Sequence, residues 1–185
     1  MHSRDPYLAP LYRLMTFSQS VKIKRIIEII ALNPKQTFWV MTNNLLFDSA
    51  TIEWSKVFGS RNDDTHWTKV IPNKMHDEIR EGLLGELAME QDEWESYRDE
   101  IIGYRDKMVA HHDLDSDVIN YPEFDKALLA ANYIFNHIRS HANQDHLGDI
   151  PLSLDTWSDT VIRNMRPIIK KAFEASATLG PNVQS

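Results

Sequence analysis

Cysteine is absent from this chain, which excludes disulfides, thiolate metal sites and cysteine nucleophiles and fits a reducing interior. Glycine is scarce, at six in 185 residues. Alternating β-branched runs between turn pairs, the mark of strands, are nearly missing. No apolar run approaches the roughly 20 residues that cross a bilayer. The opening stretch MHSRDPYLAPLYRLMTF has no continuous apolar segment after its basic residues, so it does not read as a secretory signal. Internal repeats and low-complexity segments are lacking as well. These absences point to a cytoplasmic helical protein without a membrane span.

What is present agrees. Hydrophobic residues make up 42% and charged residues 25%, too apolar for a disordered chain, and the length suits one domain better than two. The formal net charge of −7 argues against non-specific binding to a long nucleic acid. That charge is unevenly spread. Residues 74–125 hold sixteen acids against five Lys and Arg, while Arg163, Arg166, Lys170 and Lys171 gather near the C-terminus. An acidic middle with basic ends is ordinarily solvated helix surface, and it can also help two copies associate.

The expected fold is an all-α, single-domain antiparallel bundle of about five to seven helices. Residues 1–17 read as an N-terminal arm containing Pro6 and Pro10, residues 18–179 as the bundle, and residues 180–185 as a disordered tail. Ser18 or Ser20 is placed to cap a first helix that ends before Asn33-Pro34. A second runs from about Gln36 to Phe58, with Phe38, Val40, Met41, Leu45, Leu46, Ala50, Trp54, Val57 and Phe58 recurring and Gly59 as its stop. A third spans Lys74 to Glu90. The fourth, from about Asp92 to Ala110, carries Trp94, Tyr97, Ile101, Tyr104 and Met108 at 3-4-3-4 spacing. A loop over 113–122 precedes a fifth helix from Glu123 to His141, with Phe124, Leu128, Ala131, Phe135 and Ile138 inward. Ser153 or Asp155 caps the last, which places Trp157, Val161, Met165, Ile168 and Phe173 inward and contains Pro167.

Chemistry is concentrated in Tyr104-Arg105-Asp106-Lys107-Met108-Val109-Ala110-His111-His112-Asp113. Cutting RNA through its own 2′-hydroxyl needs one proton taken from that hydroxyl and one given to the leaving 5′-oxygen. Histidine titrates in the range for either step. The phosphate gains charge in the transition state, and a guanidinium meets it with forked donors and permanent charge. No metal or other cofactor is required. On an ideal α-helix Arg105 and His111 stand about 120° apart and about 9 Å apart along the axis, so they share no face. Arg98, Arg105 and His112, at intervals of seven, form one row, and His111 continues the row of Tyr97 and Tyr104. A long Arg side chain, a frayed last turn or a second subunit would be needed to bring Arg105 and His111 onto one phosphate.

The stretch from Arg105 to His111 resembles the Arg-x(4–6)-His motif of the HEPN superfamily, in which a polar residue commonly follows the Arg. The string YRDKMVAHHD, with residues 52–59 and Thr65-His66-Trp67, is similar to abortive-infection-type helical proteins of that superfamily. The resemblance covers about residues 36–115. It implies a helical bundle in which Arg and His face a homodimer interface, and a metal-independent endoribonuclease of toxin–antitoxin or phage-defence type, with an antitoxin as a further partner. Carried onto this chain, Arg105 steadies the phosphate, His111 is the general acid or base, and Asp106 orients one of them. Tyr104, Lys107 and His112 then contact the RNA substrate.

Other readings stand beside this one. Several members of the superfamily are non-catalytic modules that bind a partner protein or nucleotide. Arg105 also has Asp99, Asp106 and acids on neighbouring helices as ordinary ion-pair partners. His111 and His112 suit the negative end of a helix dipole. The set His137, His141 and His146 has two members four apart, yet no third ligand at a persuasive spacing, so no metal site is assigned. His66-Trp67 reads as a packed Trp with a capping neighbour, and the five tryptophans read mostly as core.

Overall fold

A computed structural model describes residues 5–31, 36–110 and 121–179, the side chains of 108–110 excepted. It is an all-α bundle. The helices are α1 (Leu8–Ile30), α2 (Thr37–Phe58), the single turn α3 (Trp67–Val70), α4 (His76–Leu87), α5 (Gln91–Tyr104), α6 (Asp125–His141) and α7 (Leu154–Ala177). Among the described residues there is no strand, and no helix is long and apolar enough to cross a membrane.

The first helix begins ten residues before the expected Ser18 cap. Residues 8–17, expected as part of an arm, are its first turns, and Leu11, Leu14, Phe17 and Val21 are buried along one face. Pro10 misled the sequence reading. It lies in the first turn, where a backbone N–H has no intrahelical acceptor and a missing one costs little.

Helices α1 and α2 form the antiparallel centre of the bundle. Arg13 near the start of α1 pairs with Glu53 late in α2 at 2.7 Å, and Glu28 late in α1 accepts from Asn43 early in α2 at 3.5 Å. Trp54 is fully buried and stacks on Phe58 with ring centroids 4.6 Å apart, and Trp94 of α5 meets both at 6.0 Å. This aromatic group seats the first half of α5 on the end of α2. Truncating Trp54 to Ala would cost about 3–5 kcal/mol. Helix α6 packs through Ala127, Ala130 and Ala131 together with Ile134, Phe135 and Ile138, all buried, so the inward face expected there is the one observed.

A smaller second core joins the end of α1, the start of α2 and the last half of α7. Ile26, Ile27, Ala31, Trp39 and Ile169 are its buried members. Trp39 Nε1 donates to Ser176 Oγ and Gln36 Nε2 to the Ser176 carbonyl, both at 2.8 Å. Two expected phases fail here. Phe38, Val40, Met41 and Leu45 are exposed while Trp39 and Phe47 are buried, because the start of α2 is apolar all round and its periodicity selects no face. In α7, whose first turn is capped by Ser153 Oγ, Ile169 is buried and Ile168 is exposed, one residue out of the expected register just after Pro167.

Candidate functional site

The first half of α5 is firmly built. Glu90 and Glu93 form a reciprocal capping box at its start, with the Glu90 backbone N–H donating to Glu93 Oε2 at 2.9 Å. Trp94 and Ile101 bury its inner face. Tyr97 holds α6 in place: its hydroxyl donates to the Glu123 carbonyl at 2.6 Å and accepts from the Ala127 N–H at 2.9 Å. Burial raises the Tyr97 pKa far above its ordinary value, so this phenol stays protonated.

At Tyr104 the helix changes character. The α winding ends there, and Arg105–Ala110 continue as a π-helix instead of the α-helix expected through Ala110. Each residue of a π turn advances less around the axis than in an α turn, because its hydrogen bonds run i to i+5. The α-helical phase therefore does not continue from Arg105 to Ala110. Such turns are concentrated at functional sites.

Tyr104 anchors the transition to α2. Its ring meets Phe47 edge-on at 5.0 Å and Tyr121 at 5.6 Å, and its hydroxyl donates to Asp48 Oδ1 at 3.3 Å. Burial, then the Asp48 charge, pushes the Tyr104 phenol up, so it stays protonated near neutrality and can donate. Arg105 is partly buried, and its Nε and Nη2 both donate to Asp106 Oδ1, at 2.8 and 2.6 Å. Asp106 and Lys107 are exposed. The candidates His111 and His112 lie outside the described residues, so the structure brings together Tyr104, Arg105 and Asp106 and bears on neither histidine.

Beside Tyr104 runs an open groove of about 630 Å³, lined by Lys24, Arg25, Phe47 and Tyr121 among others. The Lys24 ammonium stands 5.3 Å from the Phe47 ring centroid, and Arg25 pairs with Asp125 at 2.5 Å. Tyr121 is more than half exposed, and its ring packs on Phe47 at 5.4 Å. Phe47, Asp48 and Tyr121 were not singled out by sequence. Two of them come from α2, more than fifty residues before the motif, and no local spacing links them to it.

Other histidines among the described residues have local roles. His66 caps α3, its Nδ1 accepting from the Thr68 N–H at 3.2 Å, while Trp67 is buried beside it. Burial and the nearby Arg61 and Arg98 charges lower the His66 pKa to about 4. His141 Nδ1 lies 2.7 Å from the His137 carbonyl and its Nε2 3.1 Å from the Met75 sulfur; His146 pairs with Asp5 at 3.1 Å. Among the described residues no three His, Asp or Glu side chains are grouped to hold a metal ion.

Comparison with protein-family models, curated proteins and solved structures gave no match.

Proposed function

We propose that this chain is a HEPN-type, metal-independent endoribonuclease that acts as a homodimer. Arg105 stabilises the phosphate, His111 is the acid–base group and Asp106 orients the arginine. The observation that carries the reading is the α-to-π transition at Arg105. It carries a partly buried guanidinium held by two hydrogen bonds to Asp106, and the preceding Tyr104 packs on Phe47 and Tyr121, which line an open groove. In that groove Lys24 and Arg25 are paired to Glu28 and Asp125, so what it offers a single strand is the exposed Tyr121 ring, on which a base can stack.

In the reaction a base removes the proton of the 2′-hydroxyl, and the 2′-oxygen forms a bond to phosphorus. The bond from phosphorus to the 5′-oxygen breaks, and that oxygen takes a proton. The products are a 2′,3′-cyclic phosphate and a 5′-hydroxyl. Arg105 opposes the charge gathered on the phosphate oxygens.

A face of α2 supports the dimer. Phe38, Met41 and Leu45 are exposed at 3-4 spacing on the helix that also gives Phe47 and Asp48 to the motif. A second copy covering this stripe would bring two motifs towards one another. Roles in a toxin–antitoxin or defence system, and an antitoxin partner, follow from the resemblance alone.

Cleavage of a mixed RNA pool in EDTA, wild type beside His111→Ala, tests the reading. Cyclic phosphate ends from the wild type and none from the variant are expected. One feature favours a second reading, a non-catalytic module that binds a partner protein or nucleotide. Asp106 already neutralises Arg105 and competes with any phosphate for it. Absence of cleavage by folded, dimeric wild-type protein would select that reading.

A further inference from the structure

At the opposite end of α5 lies a second cleft, of about 400 Å³, between the end of α2, α3, α4 and the start of α5. Its size is that of a small-molecule site. Three arginines converge on it: Arg61 from the loop after α2, Arg80 from α4 and Arg98 from α5. One acid, Glu95, lines the same cleft, and its carboxylate already accepts from Gln91 Nε2 at 2.5 Å. A chain of net charge −7 has therefore gathered an excess of positive charge at this place.

The arginines are incompletely satisfied. Arg61 is exposed and joins no ion pair among the described residues. Arg98 has a 3.5 Å contact to Asp99, its sequence neighbour, and its Nε is buried with no hydrogen-bond partner among the described residues. That Nε has no accessible surface, so a ligand in the cleft would meet the outer guanidinium nitrogens, which Asp99 holds only at 3.5 Å. Arg80 is better placed, paired to Asp77 at 2.8 Å with its guanidinium carbon 5.8 Å from the Trp67 ring centroid. The rest of the wall is mixed, with Leu84 and Trp94 on the apolar side and Ser60, His66, Thr68 and Gln91 on the polar side.

A bare inorganic anion would use the arginines and leave that wall empty. A ligand with a phosphate at one end and a flat, weakly polar body at the other uses both. We propose that this cleft binds a nucleoside phosphate, with Arg61 and Arg98 on the phosphate and the base against Leu84 and Trp94. The guanidinium fork matches phosphate oxygens in pairs. The ligand is either a free nucleotide or the phosphorylated end of an RNA strand. Arg98 and Arg105 are seven residues apart on one row, about 10 Å along the axis, so a strand held here would pass the motif. Binding of the nucleotide itself does not depend on the ribonuclease reading.

The test is calorimetric titration of the whole chain with each of the four nucleoside 5′-monophosphates, with adenosine, with inorganic phosphate, and with a 5′-phosphorylated 2′-O-methyl RNA tetranucleotide. The 2′-O-methyl groups prevent cleavage, so the readout is independent of catalysis. Saturable binding of a monophosphate identifies a free nucleotide; binding of the tetranucleotide alone identifies the strand end. In either case adenosine and phosphate should bind at least tenfold more weakly. Arg61→Ala, at an exposed position, and Arg98→Ala should each weaken binding at least tenfold. The proposal is overturned if no phosphate-bearing probe binds. Phosphate binding as tightly as the nucleotide, or both arginine variants retaining wild-type affinity, overturns it equally.

Discussion

Each end of α5 is served by an arginine, and the two are held in opposite ways. Arg98 lies midway along the helix and serves the cleft at its start, and Arg105 lies just past its last residue. Arg98 stands on a regular α-helix, with a buried Nε that lacks an acceptor and a cleft of like charge around it. Arg105 stands where the helix unwinds into a π turn, and an adjacent carboxylate takes two of its donors. The difference separates a rigid grip from an oriented, charge-balanced one. An unsatisfied guanidinium in a rigid cleft favours static binding. One balanced by its neighbour is oriented first and gains most when a transition state concentrates charge near it.

The largest expected effect is at the second end. Arg105→Ala should lower RNA cleavage by at least about 100-fold in kcat, the loss typical of removing one donor to a developing oxyanion. Thermal unfolding should stay near that of the wild type, because among the described residues the guanidinium pairs only with its neighbour Asp106. Single-turnover cleavage alongside a melting curve reads both. An equal loss from Arg98→Ala would break the distinction between the ends.

Next in size is an effect of pH at the cleft end. The His66 pKa is lowered to about 4 by burial and by Arg61 and Arg98, so the folded state keeps this ring neutral. The unfolded chain takes up the proton near its ordinary value of about 6.5. Stability from this group is therefore complete above that value, falls as pH drops through it, and stops falling below about 4. The loss between pH 7.5 and 5 should be about 2 kcal/mol by urea unfolding. His66→Asn, which keeps a side-chain acceptor for the Thr68 N–H, should flatten that part of the profile. An unchanged slope in the variant would show that His66 is not held neutral by its neighbours.

Arg98 supplies the third comparison. If the chain cuts RNA and the cleft holds part of the strand, Arg98→Ala should raise KM about tenfold and leave kcat near its original value. That pattern removes binding common to ground and transition states. A fall in kcat instead would place Arg98 with Arg105 in the reaction.

What the sequence disclosed follows from the range of the interactions. Trp94, Ile101, Ala131, Phe135 and Ile138 lie at helical spacing and are buried as that spacing implies. The string around Arg105 was legible because its members are consecutive. Its π winding was not: Tyr104 is held at that point by Phe47 and Asp48, which α2 delivers from far back in the chain. The arginine cleft was hidden for the same reason, since Arg61, Arg80 and Arg98 come from three elements with no common period. Only Arg98 carried a local hint, as a member of the row that contains Arg105. At α1 the failure was of another kind, because a proline in a first turn looks the same in sequence as a proline in an arm.

The smallest expected effect concerns how α5 starts. Glu93 completes the capping box by accepting from the Glu90 N–H, and it is exposed, so Glu93→Ala removes a cap without opening a cavity. The cost should be about 1 kcal/mol, seen as a small fall in the urea midpoint with an unchanged slope. Gln91, Trp94 and Arg98 line the cleft from the same turns, so a loosened start should weaken nucleotide binding more than it affects Arg105, which lies beyond the buried Ile101. Hydrogen exchange of the α5 amides would reveal this, with faster exchange over the first two turns and wild-type protection near Ile101. Uniform acceleration along the helix would mean instead that α5 opens as a unit, and that its two ends are coupled through the backbone that joins them.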